Sequence, residues 1–337
     1  MSEIAAFTGG ASVPSARFRV RQYIPALRAD GVNIEEFVPF FGKYPPEKRW
    51  TRPFWAVAAL AERVPAAVKS RRYDAVLLQR EMISSFVTLE PFTGRPRILD
   101  VDDAIFLRKG GGFAKRLALL SDRIICGNAY LAEWFGKWNP RVEIVPTAVD
   151  TQRYVPADTG RSTERPPVIG WIGTSGNHRF LYAIETALEK LMRHFESVRL
   201  KVVSDQWPRF SGLPKGRIDF LSWSEAVEVQ AIQSMDIGIM PLDDSPWTRG
   251  KCSFKMLQYM AVGLPVVVSP VGMNAEVLAL GDLGIGATTE KQWIEGLTAL
   301  LESDRLRARL GGEGRRVAVS SFSVQSVAPR LARILRG

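Results

Sequence analysis

The sequence predicts an α/β protein of two doubly wound domains, and three observations carry that expectation. Short runs rich in Val, Ile and Leu alternate with helical stretches along almost the whole chain, the pattern of parallel strands joined by crossover helices. The alternation stops in the polar, proline-rich segment DTQRYVPADTGRSTERPP at 150–167 and then restarts, as an interdomain linker would make it do. A length of 337 residues exceeds what one core of ordinary size serves. The division read from these signals is a first Rossmann-like domain over 1–155, a second over 156–320, and a C-terminal helix over 321–337 able to return to the first.

Each element follows in order. The strand IAAFT (4–8) ends in GGASVPS, and a helix starts near Ser15 with Val20, Ile24 and Leu27 on one face. AVLLQ (75–79), RILDV (97–101), RIICG (123–127) and VEIVP (142–146) are the further strands of the first domain. After the linker, VIGWIG (168–173) leads into a long helix from His178 to about Phe195. LKVVS (200–204), IDFLS (218–222), IGIMPL (237–242) and LPVVVS (264–269) complete the second sheet. Between the last two lie the loop DDSPWTRG and a helix beginning near Lys251, with Phe254, Leu257 and Ala261 as its core face. Lys255 and Gln258, three apart, share another face of it. Gly263 is placed to end that helix in a left-handed conformation, and Pro265 prevents its continuation. The chain closes on the basic helical stretch VAPRLARILRG.

Composition narrows the function classes. An apolar fraction of 46% and a charged fraction of 24% are ordinary for a soluble domain. Cys126 and Cys252 form neither a disulfide framework nor a zinc pattern, which points to a reducing cytoplasm. MSEIAAFTGG has no basic n-region and is not a signal peptide. No stretch approaches the roughly 18 uninterrupted apolar residues of a membrane span. The net charge of +10 resides mainly in residues 1–165, with 25 Lys+Arg against 18 Asp+Glu. That excess suits nucleic acid, anionic lipid or phosphorylated small molecules, and it also serves plain solubility. The basic residues are dispersed and no recognition motif appears, so nucleic acid is not an expected partner. AIFLRKGGGFAKRLALLSDR (104–123) puts Phe113, Leu117 and Leu120 on one face near Lys109, Lys115 and Arg116. It reads equally as a helix lying on an anionic membrane and as a core helix with a wet side. Trp50, Phe54 and Trp55 in KRWTRPFW offer a similar surface. The expected location is the cytoplasm, with contact at the inner face of the cell membrane.

The chemistry is expected at loops that leave parallel strands at their carboxyl ends. The helix near Lys251 presents free N–H groups and a partial positive charge to phosphate, and Arg249, Lys251 and Lys255 add cations. The same residues also read as a solvated basic helix end. GTSGN (173–177) offers Gly173 and Gly176 for close backbone approach and Ser175 and Asn177 as caps. It reads as a second set of diphosphate donors or as a capped turn. Gly272 in SPVGMNAE lets backbone N–H groups face a ligand, and Glu276 is a surface or first-turn residue. In the first domain Gly9 and Gly10 end a strand, and Arg17 lies near that loop, whereas Arg21 reads as a solvated basic face. Asp100-Val101-Asp102 of DVDD matches a metal-binding DxD pattern in isolation. Its place in the first domain instead favours Asp102 or Asp103 orienting an acceptor hydroxyl, acting as a base, or capping the next segment. Of the two histidines, His178 follows the GTSGN loop and His194 reads as a surface residue.

DIGIMPLDDSPWTRGKCSFKMLQYMAVGLPVVVSPVG resembles the donor-site signature of retaining glycosyltransferases of family 4, which have the two-domain GT-B fold. GGASVPSARFRVRQYIPAL, ILDVDDAIF, CGNAYLAEW, VPTAVDTQRY and IGWIGTSGNHRFL resemble other family segments in the same order. The resemblance implies two doubly wound domains facing across a cleft and a nucleotide-diphosphate sugar bound by the second. The donor-binding set expected is Gly10, Arg17, Gly173, Thr174, Ser175, Asn177, Arg249, Lys251, Cys252, Ser253, Lys255, Gln258 and Gly272. Asp102, Asp103 and Lys255 are the expected catalytic groups. The family pattern carries two glutamates eight residues apart, one for the sugar and one for the ribose; here Gly250 and Gln258 stand there. Gln258 retains hydrogen-bonding capacity for a ribose, and Asp243, Asp244 or Arg249 stand near Gly250. No histidine of the first domain is available as a base. The implied reaction is retaining transfer to a hydroxyl of a glycan or lipid-linked acceptor in cell-envelope or exopolysaccharide synthesis. Protein cations take the place of a metal, and no cofactor beyond the nucleotide sugar is expected. A nucleotide-sugar-binding partner subunit without turnover and a nucleotide-sugar epimerase are the alternatives.

Overall fold

The computed structural model describes residues 1–11, 13–157 and 165–337. Ser12 of the first glycine loop and residues 158–164 of the expected linker lie outside them. The chain forms two compact units: Met1–Ala148 with Arg249–Cys252 and Val324–Gly337, and Val149–Thr248 with Ser253–Ser323.

The first unit holds a parallel six-stranded sheet in the order β2-β1-β3-β4-β5-β6. Its strands are β1 (Ser2–Phe7), β2 (Val32–Phe37), β3 (Ala75–Gln79), β4 (Arg97–Val101), β5 (Arg123–Cys126) and β6 (Val142–Ile144). β3 and β4 are buried along their whole length, which is why their centres read as apolar, while Gln79, Arg97 and Asp100 are buried polar exceptions. β2, VNIEEF, escapes that reading because it is an edge strand that alternates buried Val32 and Ile34 with polar positions. The helix expected from Ser15 is broken into Pro14–Arg19, a turn at Arg21–Tyr23 and Ile24–Ala29. Pro25 sits in the first turn of the last piece, where its missing N–H costs nothing. Val20 and Leu27 are buried, as their spacing requires. The apolar face of helix Gly112–Leu120 is also inside: Phe113 and Leu117 are buried. The membrane-facing reading of that stripe is therefore corrected to a core-facing one. The C-terminal helix Val324–Arg336 buries Val324, Val327, Ala328, Leu331, Ala332 and Leu335 against the β1–β3 side of the core.

The second unit repeats the plan with the order β12-β11-β10-β7-β8-β9, again parallel. Its strands are β7 (Val168–Ile172), β8 (Arg199–Ser204), β9 (Ile218–Ser222), β10 (Ile237–Met240), β11 (Val266–Val268) and β12 (Gly284–Gly286). β7, β10 and β11 are each shorter than the apolar runs that announce them, because the run ends turn into loops. β12 is three residues with two glycines and carries no sequence pattern of its own. The long helix from His178 divides into His178–Tyr182 and Glu185–His194, with Ile184 out of helical conformation at φ −112°, ψ 12°. The helix expected near Lys251 starts later, at Phe254, because Ser253 takes a left-handed conformation with φ 51°. Gly263 ends it with φ 73°. The Gly263 N–H donates to Met260 and the Leu264 N–H to Tyr259, the paired closure of a Schellman motif.

Candidate donor site at a topological switch point

β7 and β10 are neighbours, but the chain runs from β7 outward to β8 and β9 on one side and from β10 outward to β11 and β12 on the other. Their carboxyl ends therefore flank the point where an open α/β sheet leaves a crevice for ligands. Helix Phe254–Ala261 lies close over this point for a steric reason. A Cβ on Gly238 of β10 would stand 2.4 Å from the Tyr259 ring, so only glycine admits the tyrosine. The buried Tyr259 hydroxyl then accepts the Ile172 N–H at the end of β7 (3.0 Å).

Lys255 is the first cation that this arrangement positions. Its Nζ stands 5.5 Å from the centroid of the Trp171 ring. A Cβ on Gly173 would come within 2.5 Å of Lys255 Cε, so the glycine after β7 is what lets the lysine stem pass. Lys255 and the 173–177 loop are thus brought together. Within that loop the Ser175 N–H and hydroxyl both donate to Asp205, at 2.6 and 2.8 Å. Asn177 Nδ2 donates to Thr174 Oγ1. Burial pushes the Asp205 carboxyl up, but the bonds from Ser175 outweigh it and hold the group below its ordinary value. Asp205, which follows β8, has no motif and was not legible as part of this loop. His178 is buried, 2.9 Å from Ser204 Oγ and edge-on to Trp171. Burial holds its ring below the ordinary imidazole value, against the pull of Asp205. His194 is exposed.

A second contact joins two helix N-termini. Ser253 Oγ donates to Asn274 Oδ1 (2.7 Å), and Asn274 Nδ2 donates to the Ser269 carbonyl after β11. Gly272, at φ 54° and ψ −132°, precedes helix Met273–Leu278, and Glu276 lies exposed in its first turn. Thr174, Ser175, Asn177, Ser253, Lys255 and Gly272 accordingly share the carboxyl edge of the second sheet. Gln258, three residues from Lys255, is not set apart from the core as its spacing suggested. It is buried, and its Nε2 donates to Tyr154 Oη (3.0 Å) and Glu228 Oε1 (2.9 Å). Tyr154 and Trp223 also donate to Glu228.

Arg249, Gly250, Lys251 and Cys252 group with the first unit. Asn128 Nδ2 donates to the carbonyls of Arg249 and Lys251, while its Oδ1 caps helix Ala129–Gly136 through Leu131. Gly250 has no room for a side chain: a Cβ would lie 2.6 Å from that of Ala104. Cys252 is buried with Sγ 3.2 Å from the Asp102 carbonyl, and burial pushes its thiol up to about 12.

The DVDD carboxylates all meet arginines. Asp100 and Arg19 form a buried pair, with Arg19 Nε 3.1 Å from both carboxylate oxygens. Asp102 Oδ1 accepts from Arg80 Nε at 2.6 Å, and Asp103 Oδ2 stands 3.5 Å from the same guanidinium. Burial raises Asp102, but Arg80 outweighs it and the carboxyl lies below its ordinary range. For Asp103 burial prevails over Arg80 and Lys251 and the carboxyl lies above it. Asp103 Oδ1 is buried without a hydrogen-bond partner. Arg21 is a brace rather than a solvated group, donating to the Gly10 and Ala11 carbonyls and to Glu36. Arg17 lies over the Phe18 ring. Among the described residues no group of three or more His, Cys, Asp or Glu side chains could hold a metal.

Two doubly wound parallel units, with a glycine loop and a lysine-bearing helix at one switch point, define the GT-B class of fold. Residues 166–303 match the family described as Glycosyl transferases group 1. Among solved structures, the chain is similar to sucrose-phosphate synthase from Thermosynechococcus elongatus, with a TM-score of 0.73 at 15% identity over 100% of this chain and 98% of that one. It is similar to WaaG, a glycosyltransferase involved in lipopolysaccharide biosynthesis, with a TM-score of 0.69 at 16% identity over 99% and 100% of the two chains. HepE of Anabaena, in complex with UDP and glucose, gives 0.72 at 13% identity over 99% of each. Spore coat protein SA of Bacillus subtilis (strain 168) is 40% identical over 78 residues, which are 22% of this chain. The match spans about a fifth of the length of that curated relative, 21%.

Proposed function

We propose that this chain is a glycosyltransferase that moves a sugar from a nucleotide-diphosphate sugar to a hydroxyl acceptor. The observation that carries the reading is Lys255 beside the 173–177 loop at the switch point of the second sheet. As the anomeric bond breaks, negative charge grows on the departing diphosphate. Lys255 and the N–H groups at the starts of helices Phe254–Ala261 and Met273–Leu278 stabilise that charge as it develops. The HepE complexes with UDP and with UDP-glucose make a uridine diphosphate sugar the first donor to test. Asp103, with one unsatisfied oxygen and a raised carboxyl, is assigned to orient the acceptor hydroxyl or take its proton. Asp102 holds Arg80 in place. Retention of anomeric configuration follows the family 4 resemblance. Independence of metal is favoured because arginines already neutralise the DVDD carboxylates. The acceptor is assigned as a glycan or lipid-linked glycan of cell-envelope or exopolysaccharide synthesis, reached from the cytoplasm at the inner face of the cell membrane.

Lys255→Ala is expected to lower the acceptor-dependent release of nucleotide about a hundred-fold or more, the scale for loss of one charge-stabilising donor. Equal release from the variant and the parent chain would refute the assignment. A donor-binding partner subunit without turnover is the second reading, favoured by the absence of any side chain at Gly250 and the commitment of Gln258 to Glu228. Calorimetric binding of a nucleotide sugar with no release in the presence of lipid extract would select it.

A further inference from the structure

Helix Arg52–Lys69 turns its polar and small positions inward and its apolar stripe outward. Ala59, Arg63 and Ala67 are buried. Phe54, Val57, Ala61, Val64 and Val68 are exposed, and their spacing of three and four residues places them on one line about 21 Å long. Phe54 is 73% exposed and Val57 69%. The loop before the helix continues the stripe. Glu62 accepts the Phe40 and Phe41 N–H groups and Trp55 Nε1 donates to the Phe41 carbonyl, which holds the loop against the helix flank. Phe40 is then 88% exposed and Trp50 71%.

Cations rim this apolar face. Lys48, Arg49 and Arg52 lie exposed at its start and Arg71 and Arg72 at its end, and no ion pair among the described residues uses Lys48, Arg49 or Arg52. No helix of the described residues is long and apolar enough to cross a membrane. An apolar stripe with protruding aromatics and a basic border is the composition of a helix that lies in the interface of an anionic bilayer. Trp and Phe enter the headgroup boundary, and Lys and Arg meet lipid phosphate.

We infer that helix Arg52–Lys69 and the Phe40–Trp50 loop form a docking face for an anionic lipid surface, with Phe40, Trp50, Phe54 and Val57 as the inserting groups. The inference deepens the membrane part of the proposed function and rests on it only for the side of the membrane. It also moves the contact away from helix Gly112–Leu120, whose apolar face is buried.

The test uses the full chain, no nucleotide sugar, and vesicles of phosphatidylcholine alone or mixed with phosphatidylglycerol. The chain is expected to float with the mixed vesicles and to be released by salt. Phe54→Asp is expected to lower the partition coefficient at least ten-fold. Lys48→Gln and Arg49→Gln each lower it about five-fold, and only on the anionic vesicles. All three side chains are exposed, so an unchanged thermal melt certifies the fold of each variant. No flotation of the parent chain, or equal flotation of Phe54→Asp, overturns the inference. So does a dimer in sedimentation velocity that Phe54→Asp dissociates without any vesicle binding, since a second copy would then own this face. Nucleotide release on a soluble acceptor is read separately, so failure of docking leaves the transfer reading intact.

Discussion

Gln258 stands where the resemblance to family 4 glycosyltransferases expects a carboxylate, and its surroundings explain the amide. Its two N–H bonds run to Tyr154 and to the buried carboxylate of Glu228. A glutamate there would set a carboxylate against that of Glu228 and remove the Gln258 donor from Tyr154 and from Glu228, which keeps Tyr154 and Trp223. Gln258→Glu is therefore expected to destabilise the second unit by about 2 kcal/mol or more, read from the urea midpoint at pH 7. A partial recovery on lowering the pH, as one carboxyl of the new pair takes a proton, is the accompanying signature; an unchanged midpoint would contradict the account. Lys255 was legible from the sequence because a cation behind a strand–loop–helix junction is a chemical signal in itself. The burial of Gln258 was not, because helical spacing assigns it a face but not the depth of that face. The clue lay elsewhere, in Gly238 of β10, where a missing Cβ admits Tyr259 and draws the whole helix down onto the sheet.

At the scale of elements, the loops after β2 and β3 meet in a buried ion pair. Lys43 Nζ lies 3.2 Å from Glu81 Oε1, and both side chains are almost fully buried. Burial holds the Lys43 ammonium down to about 8, although Glu81 pulls the other way. Between pH 8 and 10.5 the unfolded chain thus keeps a proton that the folded one releases, so this lysine makes stability rise with pH in that window and leaves it flat below. The buried thiols of Cys126 and Cys252 are pushed up and act in the opposite sense above their unfolded values. They are common to parent and variant. The urea midpoint of the parent chain minus that of Lys43→Met is expected to increase from pH 7.5 to 9.5; a difference that stays level would remove Lys43 from the account. β3 and β4 were legible to the residue, since strands covered on both faces carry apolar centres; β9, an edge strand, was legible through Ile218, Phe220 and Leu221. Edge strands β2 and β12 were not, because half-exposed backbone tolerates the charges and glycines that blur the pattern.

At the scale of the whole molecule, the chain order and the packing order differ. The first unit takes its last helix from the far end of the sequence, where Leu331 is 4% exposed within the core of β1–β3. Leu331→Ala is expected to cost about 2 to 5 kcal/mol. Amide hydrogen exchange locates the cost: protection falls in β1–β6 and holds in β7–β12, and a uniform loss would contradict the division into units. The two-domain plan was visible in the restart of the strand–helix alternation. The capture of Arg249–Cys252 by the first unit was not, because it rests on contacts distant in sequence: Asn128 reaching two carbonyls, Cys252 at the Asp102 carbonyl and Gly250 against Ala104. The late arrival of Val324–Arg336 also bears on synthesis. While the ribosome still holds residues 324–336, β1, β2 and β3 are complete but bare along the flank this helix will cover. A nascent chain therefore carries an oily seam until Val324–Arg336 has emerged, and any truncation upstream of Val324 leaves that seam open to chaperones and proteases.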